Sequence, residues 1–162
     1  MSGGQLLGLA LAELIESGLS LNVGTRSADR WPETCRAMGL RVHPDRRGFD
    51  VFLPVATSAA TLANLRDNGL IAVTASHPPT HRTVQLKGVT RQILPESPAD
   101  REFIAQYRRG LGVVLATVGI PPQVAGKVVH SPCWRVEIAL HQVFEQTPGP
   151  DAGRPYGQER RG

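Results

Sequence analysis

The 162 residues carry 18 Lys+Arg against 14 Asp+Glu, for a net charge of +4, with 41% hydrophobic and 5% aromatic side chains. That length suits one domain with an apolar core, and the composition excludes a disordered or fibrous chain. No run approaches the ~18 apolar residues of a membrane-spanning helix, and scattered arginines with few aromatics make a nucleic-acid partner an unfavoured reading.

Residues 4–17 place Leu7, Leu11, Leu14 and Ile15 on one helical face, and Gly18 is positioned to end that helix. The start has no basic region and carries Glu13 and Glu16, which does not fit a secretory signal. Residues 19–25 alternate as a half-buried strand does, as do residues 35–43, with Met38, Leu40 and Val42 on one face. After a Pro44–Gly48 turn, residues 49–53 return as a third strand. Thr57 or Ser58 can cap a short helix containing Leu62 and Leu65, which Asn68-Gly69 closes.

Residues 70–75 form a short apolar strand, and residues 82–94 a long one that Gly88 interrupts as a bulge would. Ser97-Pro98-Ala99-Asp100 opens a helix, with Ser97 as cap, Pro98 at the first position and Asp100 at the positive end. Phe103, Tyr107 and Leu111 keep one of its faces apolar, and Pro121-Pro122 launches a further short helix. Residues 134–144 are the last strand. The expected fold is therefore mainly β (α+β): an antiparallel sheet of about six strands with flanking helices, closing into a barrel to remove its edges. Residues 1–146 read as a single domain and residues 147–162 as an irregular tail.

Lys87 and Lys127 are the only lysines, so 16 of the 18 cations are arginine. Compositional bias explains such an excess, and so does anion recognition through the guanidinium fork. Arg36 and Arg41 flank Gly39 on one predicted strand, and their odd separation places them on opposite faces. Gly39 would let a flat ligand approach the backbone, or would simply pack. Thr57-Ser58 could present hydroxyls and N–H groups to an anion, or act as an ordinary cap. Gln85 and Lys87 follow Arg82-Thr83 on the long strand as candidate donors. His77 and His81 lack a neighbouring carboxylate or thiol, so no metal site is expected. Cys35 and Cys133 are too few for a disulfide framework, which points to a reducing, cytoplasmic location. No phosphate-binding glycine loop, serine-nucleophile elbow or paired-cysteine zinc pattern is present.

The segments RAMGLRVHPDRRGFDVFLPVATSAATLANLRDNGLIAV and RTVQLKGV, in that order and spacing, resemble the pyridoxamine 5′-phosphate oxidase-like, FMN-binding split-barrel family. The resemblance implies that the barrel is an antiparallel split β-barrel, and that it forms a homodimer with two flavin sites at the subunit interface. Arg36 stands where that family contacts the FMN phosphate, and Ala37, Met38 and Gly39 would lie under the ring. Arg41 stands where the oxidase holds its substrate phosphate. Thr57 and Ser58 match the phosphate-binding turn, Thr83 matches a ring-contacting glutamine, and Gln85, Lys87 and Trp134 are further pocket candidates. Ala59-Ala60 replaces an Arg-Lys pair, and Trp134 is followed by Arg135-Val136-Glu137 rather than the oxidase's substrate signature. Both departures set the chain apart from the vitamin B6 oxidase.

The resemblance implies an FMN-dependent oxidoreductase that passes electrons between a reductant and a small-molecule substrate. The flavin would carry the redox step, so no catalytic side chain is assigned. The alternative is a non-catalytic split barrel holding haem, a deazaflavin or a signalling anion, with His43, His77, His81, His130 and His141 as potential haem ligands.

Overall fold

Buried and more exposed positions alternate along Ser20–Arg26, Leu70–Ser76 and the first half of Thr83–Pro95, three of seven antiparallel strands in the computed structural model, which describes residues 5–156, while the strand over Gly48–Pro54 is buried throughout. The chain runs α1 (Leu9–Glu16), β1 (Ser20–Arg26), β2 (Pro32–Ala37), β3 (Gly39–Val42) and β4 (Gly48–Pro54). A 3-10 turn (Val55–Thr57) leads to α2 (Ala59–Asn68), β5 (Leu70–Ser76), β6 (Thr83–Pro95), α3 (Pro98–Thr117), α4 (Pro122–Ala125) and β7 (Cys133–Glu145). The strands form one sheet in the order β2-β1-β5-β6-β7-β4-β3. Leu21, Val23, Val51, Val73, Leu86, Val136 and Ile138 are buried in its concave core.

The single strand expected over residues 35–43 is two strands, so there are seven rather than about six. Ala37 still pairs with Leu21 of β1, whereas the Met38 N–H donates to the Phe52 carbonyl of β4 at 2.8 Å. The chain thus changes partner at Met38 and joins the two edges of the curled sheet. This break also shifts the side-chain phase. Cys35 and Ala37 point into the core, and so does Leu40 three residues on. Arg36 and Arg41 consequently both lie on the outer face, not on opposite faces.

Helix α1 starts at Leu9, later than expected, and Gly18 ends it with φ 104°. A Cβ on Gly18 would strike the backbone of Leu111, so glycine lets α3 dock there. Gly88 sits at a register shift between β6 and β7, and a Cβ there would collide with the Ala139 carbonyl. The expected Ser97 cap of α3 forms, accepting from the Asp100 N–H, and Asp100 adds the reciprocal bond of a capping box by accepting from the Ser97 N–H.

The buried Tyr107 hydroxyl ties α3 to β1, accepting from the Leu19 N–H at 3.0 Å and donating to the Leu19 carbonyl at 3.2 Å. Tyr107→Phe should cost about 1–3 kcal/mol, because it strands buried polar backbone groups. A urea melt measures this, and an unchanged midpoint would show that water replaces the hydroxyl.

Residues 147–156 contain turns and one isolated bridge, with no helix or strand. Pro155 bridges to Phe144, and the Tyr156 hydroxyl donates to Glu145 at 2.7 Å, so residues 147–156 fold back on β7. The remainder of the expected tail, residues 157–162, lies outside the described residues.

Candidate functional site

Arg41 is committed to the protein's own carboxylates. Its Nη2 donates to Asp50 at 2.6 Å and to Asp100 at 2.9 Å, and Nε donates to Asp50 at 3.2 Å. The guanidinium lies 5.2 Å from the Phe52 ring centre and 5.3 Å from that of Phe103. Arg135 reaches the other Asp100 oxygen at 3.4 Å. Burial alone would raise the Asp100 pKa, but the Ser97 backbone N–H and Arg41 hold it below the ordinary aspartate value. With Nε and Nη2 engaged by Asp50 and Asp100, Arg41 pins α3 to the barrel, a structural setting unlike that of the phosphate-holding residue expected from the resemblance. Gly39 also departs from expectation. It is buried against Phe52, Phe103 and Tyr107, so it serves packing and offers no approach to a flat ligand.

Arg36 has a different setting. It is exposed, and its contact is with the Ser20 hydroxyl at 3.3 Å. Cross-strand partners share a face, so the register Arg36↔Asn22↔Thr74↔Gln85↔Phe144 forms one row across β2, β1, β5, β6 and β7. At ~4.8 Å per strand, Arg36 and Gln85 stand about 14 Å apart. Lys87 belongs to the same outer face, with its ammonium 4.8 Å from the Phe144 ring centre. Sequence reasoning named Arg36 and Gln85, and the register places both in this row.

The other candidates fall elsewhere. Ser58 is buried and its hydroxyl donates to the Pro54 carbonyl at 2.6 Å, so that hydroxyl is withdrawn from any anion. Thr57 is exposed in the 3-10 turn, and Ala59 and Ala60 are exposed at the start of α2 and add no cation there. Thr83 spends its hydroxyl on the Ser76 hydroxyl and the His81 carbonyl. Trp134 packs against the barrel core under the Arg66 guanidinium of α2, 6.0 Å from its ring centre.

Beside Arg36 opens a cavity of about 840 Å³. Its floor is Ala37 and Met38, at the partner-switching point of the sheet. Its roof is the second half of α3 with α4 and the segment reaching His130. Three guanidiniums line it, those of Arg36, Arg108 and Arg109, and none of its lining residues is acidic. Arg108 is half-buried, and its contact is the Ala125 carbonyl at 3.3 Å. Burial holds its pKa below the usual arginine value. Near the cavity the Cys133 thiol is pushed up to about 12 by burial and by Glu96, and is therefore inert.

Sequence reasoning missed Arg108 and Arg109. The available signal was the second half of α3: no charged residue occurs from Gly110 to Gln123, directly after the two arginines. Among the described residues no three His, Cys, Asp or Glu side chains converge as a metal site, and no helix is long and apolar enough to cross a membrane.

A curled antiparallel sheet whose two edge strands, β2 and β3, are joined directly at Met38 is a split β-barrel. Solved structures of pyridoxamine 5′-phosphate oxidase type share this fold. A proposed pyridoxamine 5′-phosphate oxidase from Lactobacillus delbrueckii matches with a TM-score of 0.55 at 13% identity, over 86% of this chain and 93% of that one. An F420 reductase gives 0.57 at 13% identity, over 85% of this chain and 98% of that one. HutZ, the haem storage protein of Vibrio cholerae, gives 0.50 at 14% identity, over 87% and 95%. No family model matches the chain, and no curated protein matches it. At these identities the likeness establishes the fold, and the function must be argued from the site.

Proposed function

We propose that this chain binds FMN on the outer face of β2, β1, β5 and β6 and serves as an oxidoreductase for a small molecule. The observation that carries this reading is the row from Arg36 to Gln85. A guanidinium at one end suits a phosphate. The small polar side chains of Asn22 and Thr74 leave a shallow face for a flat ring, and the Gln85 amide can hydrogen-bond its edge. Bound FMN supplies the electron transfer, while Arg36, Asn22, Thr74 and Gln85 bind and orient it. Such a face covers one side of a ring only. A second copy of the chain covering the other side completes the site, which makes the functional unit a homodimer.

Titration of the purified protein with FMN tests this. Saturable binding at one FMN per chain, with a perturbed flavin spectrum and a dimer mass in solution, is the expected result. Absence of titratable binding removes the flavin reading, and an F420 titration in parallel distinguishes a deazaflavin on the same face.

A second reading is haem binding in the cavity. It is favoured by His130, since none of the other four histidines lines that cavity. A Soret band on haem addition that is lost in His130→Ala would support it, and a band that survives the substitution would remove it.

A further inference from the structure

The cavity under α3 and α4 combines apolar walls with cations. Its walls are largely apolar, including Met38, Val113, Leu115 and Val128. Its cations lack counter-ions: among the described residues no carboxylate pairs with Arg36, Arg108 or Arg109, whereas Arg41 and Arg135 nearby are both paired. A half-buried guanidinium in an apolar wall has lost part of its hydration without gaining a charge partner, and an incoming anion restores that interaction. Val113 is 71% exposed at the rim although it belongs to an apolar helix half. The volume of about 840 Å³ falls in the range of pockets for drug-sized organic ligands, far beyond a free inorganic ion.

We infer that this cavity takes the substrate, and that the substrate is a bulky apolar molecule bearing one anionic group, held by Arg108 while its apolar body fills the space between Met38 and Val113. Calling this ligand the substrate rests on the flavin reading; its recognition rests on the cavity alone. The cavity adjoins Arg36, so a molecule seated there lies beside the end of the row proposed for the cofactor.

Two probes that differ in charge test the inference: 8-anilinonaphthalene-1-sulfonate and its neutral analogue N-phenyl-1-naphthylamine, each titrated by fluorescence and calorimetry. The sulfonate should bind saturably, one per chain, about tenfold or more tighter than the neutral compound, as expected for a charge-assisted contact. Arg108→Gln should bring the sulfonate down to the level of the neutral analogue and leave FMN affinity unchanged. Val113→Asp puts a negative charge on an exposed helix position, so it should fold and should also abolish sulfonate binding.

Equal affinity for the two probes would overturn the proposal, as would no saturable binding. So would mutual displacement of the sulfonate and FMN with parallel loss of both in Arg108→Gln, because the cavity would then be the flavin's own phosphate pocket. A protein that binds the sulfonate selectively but not FMN keeps this cavity assignment and loses only the cofactor reading.

Discussion

Asp100→Ala should lower the free energy of unfolding by about 3–5 kcal/mol, the range for breaking a buried ion pair from one side. The side chain is 2% exposed and sits between two guanidiniums, those of Arg41 and Arg135. It is also the acidic half of the α3 capping box, so its removal frees the Ser97 N–H as well. Arg41 keeps Asp50, but the ionic link between β3 and α3 is lost. A lower urea midpoint with an unchanged slope is the expected reading. A loss below about 1 kcal/mol would instead mean that solvent screens the network as it does a surface pair.

The pH dependence carries an independent signature. The folded-state pKa of Asp100 lies below its unfolded value. The stability it contributes is therefore fully present above the ordinary aspartate pKa of about 3.9 and is lost as pH falls through the lowered folded-state value. Asp100→Asn keeps the size and part of the cap, and it should flatten this acid limb of the stability curve.

On the flavin reading, Arg36→Ala should weaken FMN by about 10- to 100-fold, equivalent to the ~1.5–3 kcal/mol of a hydrogen bond to a charged group. The effect is expected to shrink in high salt, since Arg36 is exposed. Fold stability should change by no more than about 0.5 kcal/mol, because the side chain touches little besides the Ser20 hydroxyl. That contrast separates a binding residue from a structural one. Arg41→Ala is the complementary case: it should destabilise the fold, since Arg41 joins two buried carboxylates. An Arg36→Ala protein with native FMN affinity would take Arg36 out of the site.

Local patterns carried much of the fold. The α3 start was readable because Ser97, Pro98 and Asp100 act within one turn. Gly69, which closes α2 with φ 72°, and the Gly88 bulge were readable because each reflects a backbone need at its own position. The barrel closure at Met38 was not readable. Residues 35–43 keep a credible strand alternation on paper, and the change of partner depends on where β1 and β4 lie. The same blindness affected Arg36 and Arg41, whose relative facing follows from that break.

Candidate binding residues were legible as residue types and illegible as roles. Arg36 and Arg41 look alike in sequence. One is exposed at the end of a cross-strand row, while the other is neutralised by Asp100, 59 residues away. Ser58 looked like an available cap, yet its hydroxyl turns back to Pro54.

The split-barrel class came from a family resemblance; local sequence patterns determined the helices, most of the strands, the turns and caps, the bulge and an antiparallel barrel. These depend on periodicity and on backbone preferences that act over a few residues. Only the tertiary structure decided which arginines are spent, which are unpaired, and that a cavity opens beside the sheet row. Those outcomes depend on strand register and on the docking of α3, where charges and surfaces far apart in the chain meet at distances that local preferences do not encode.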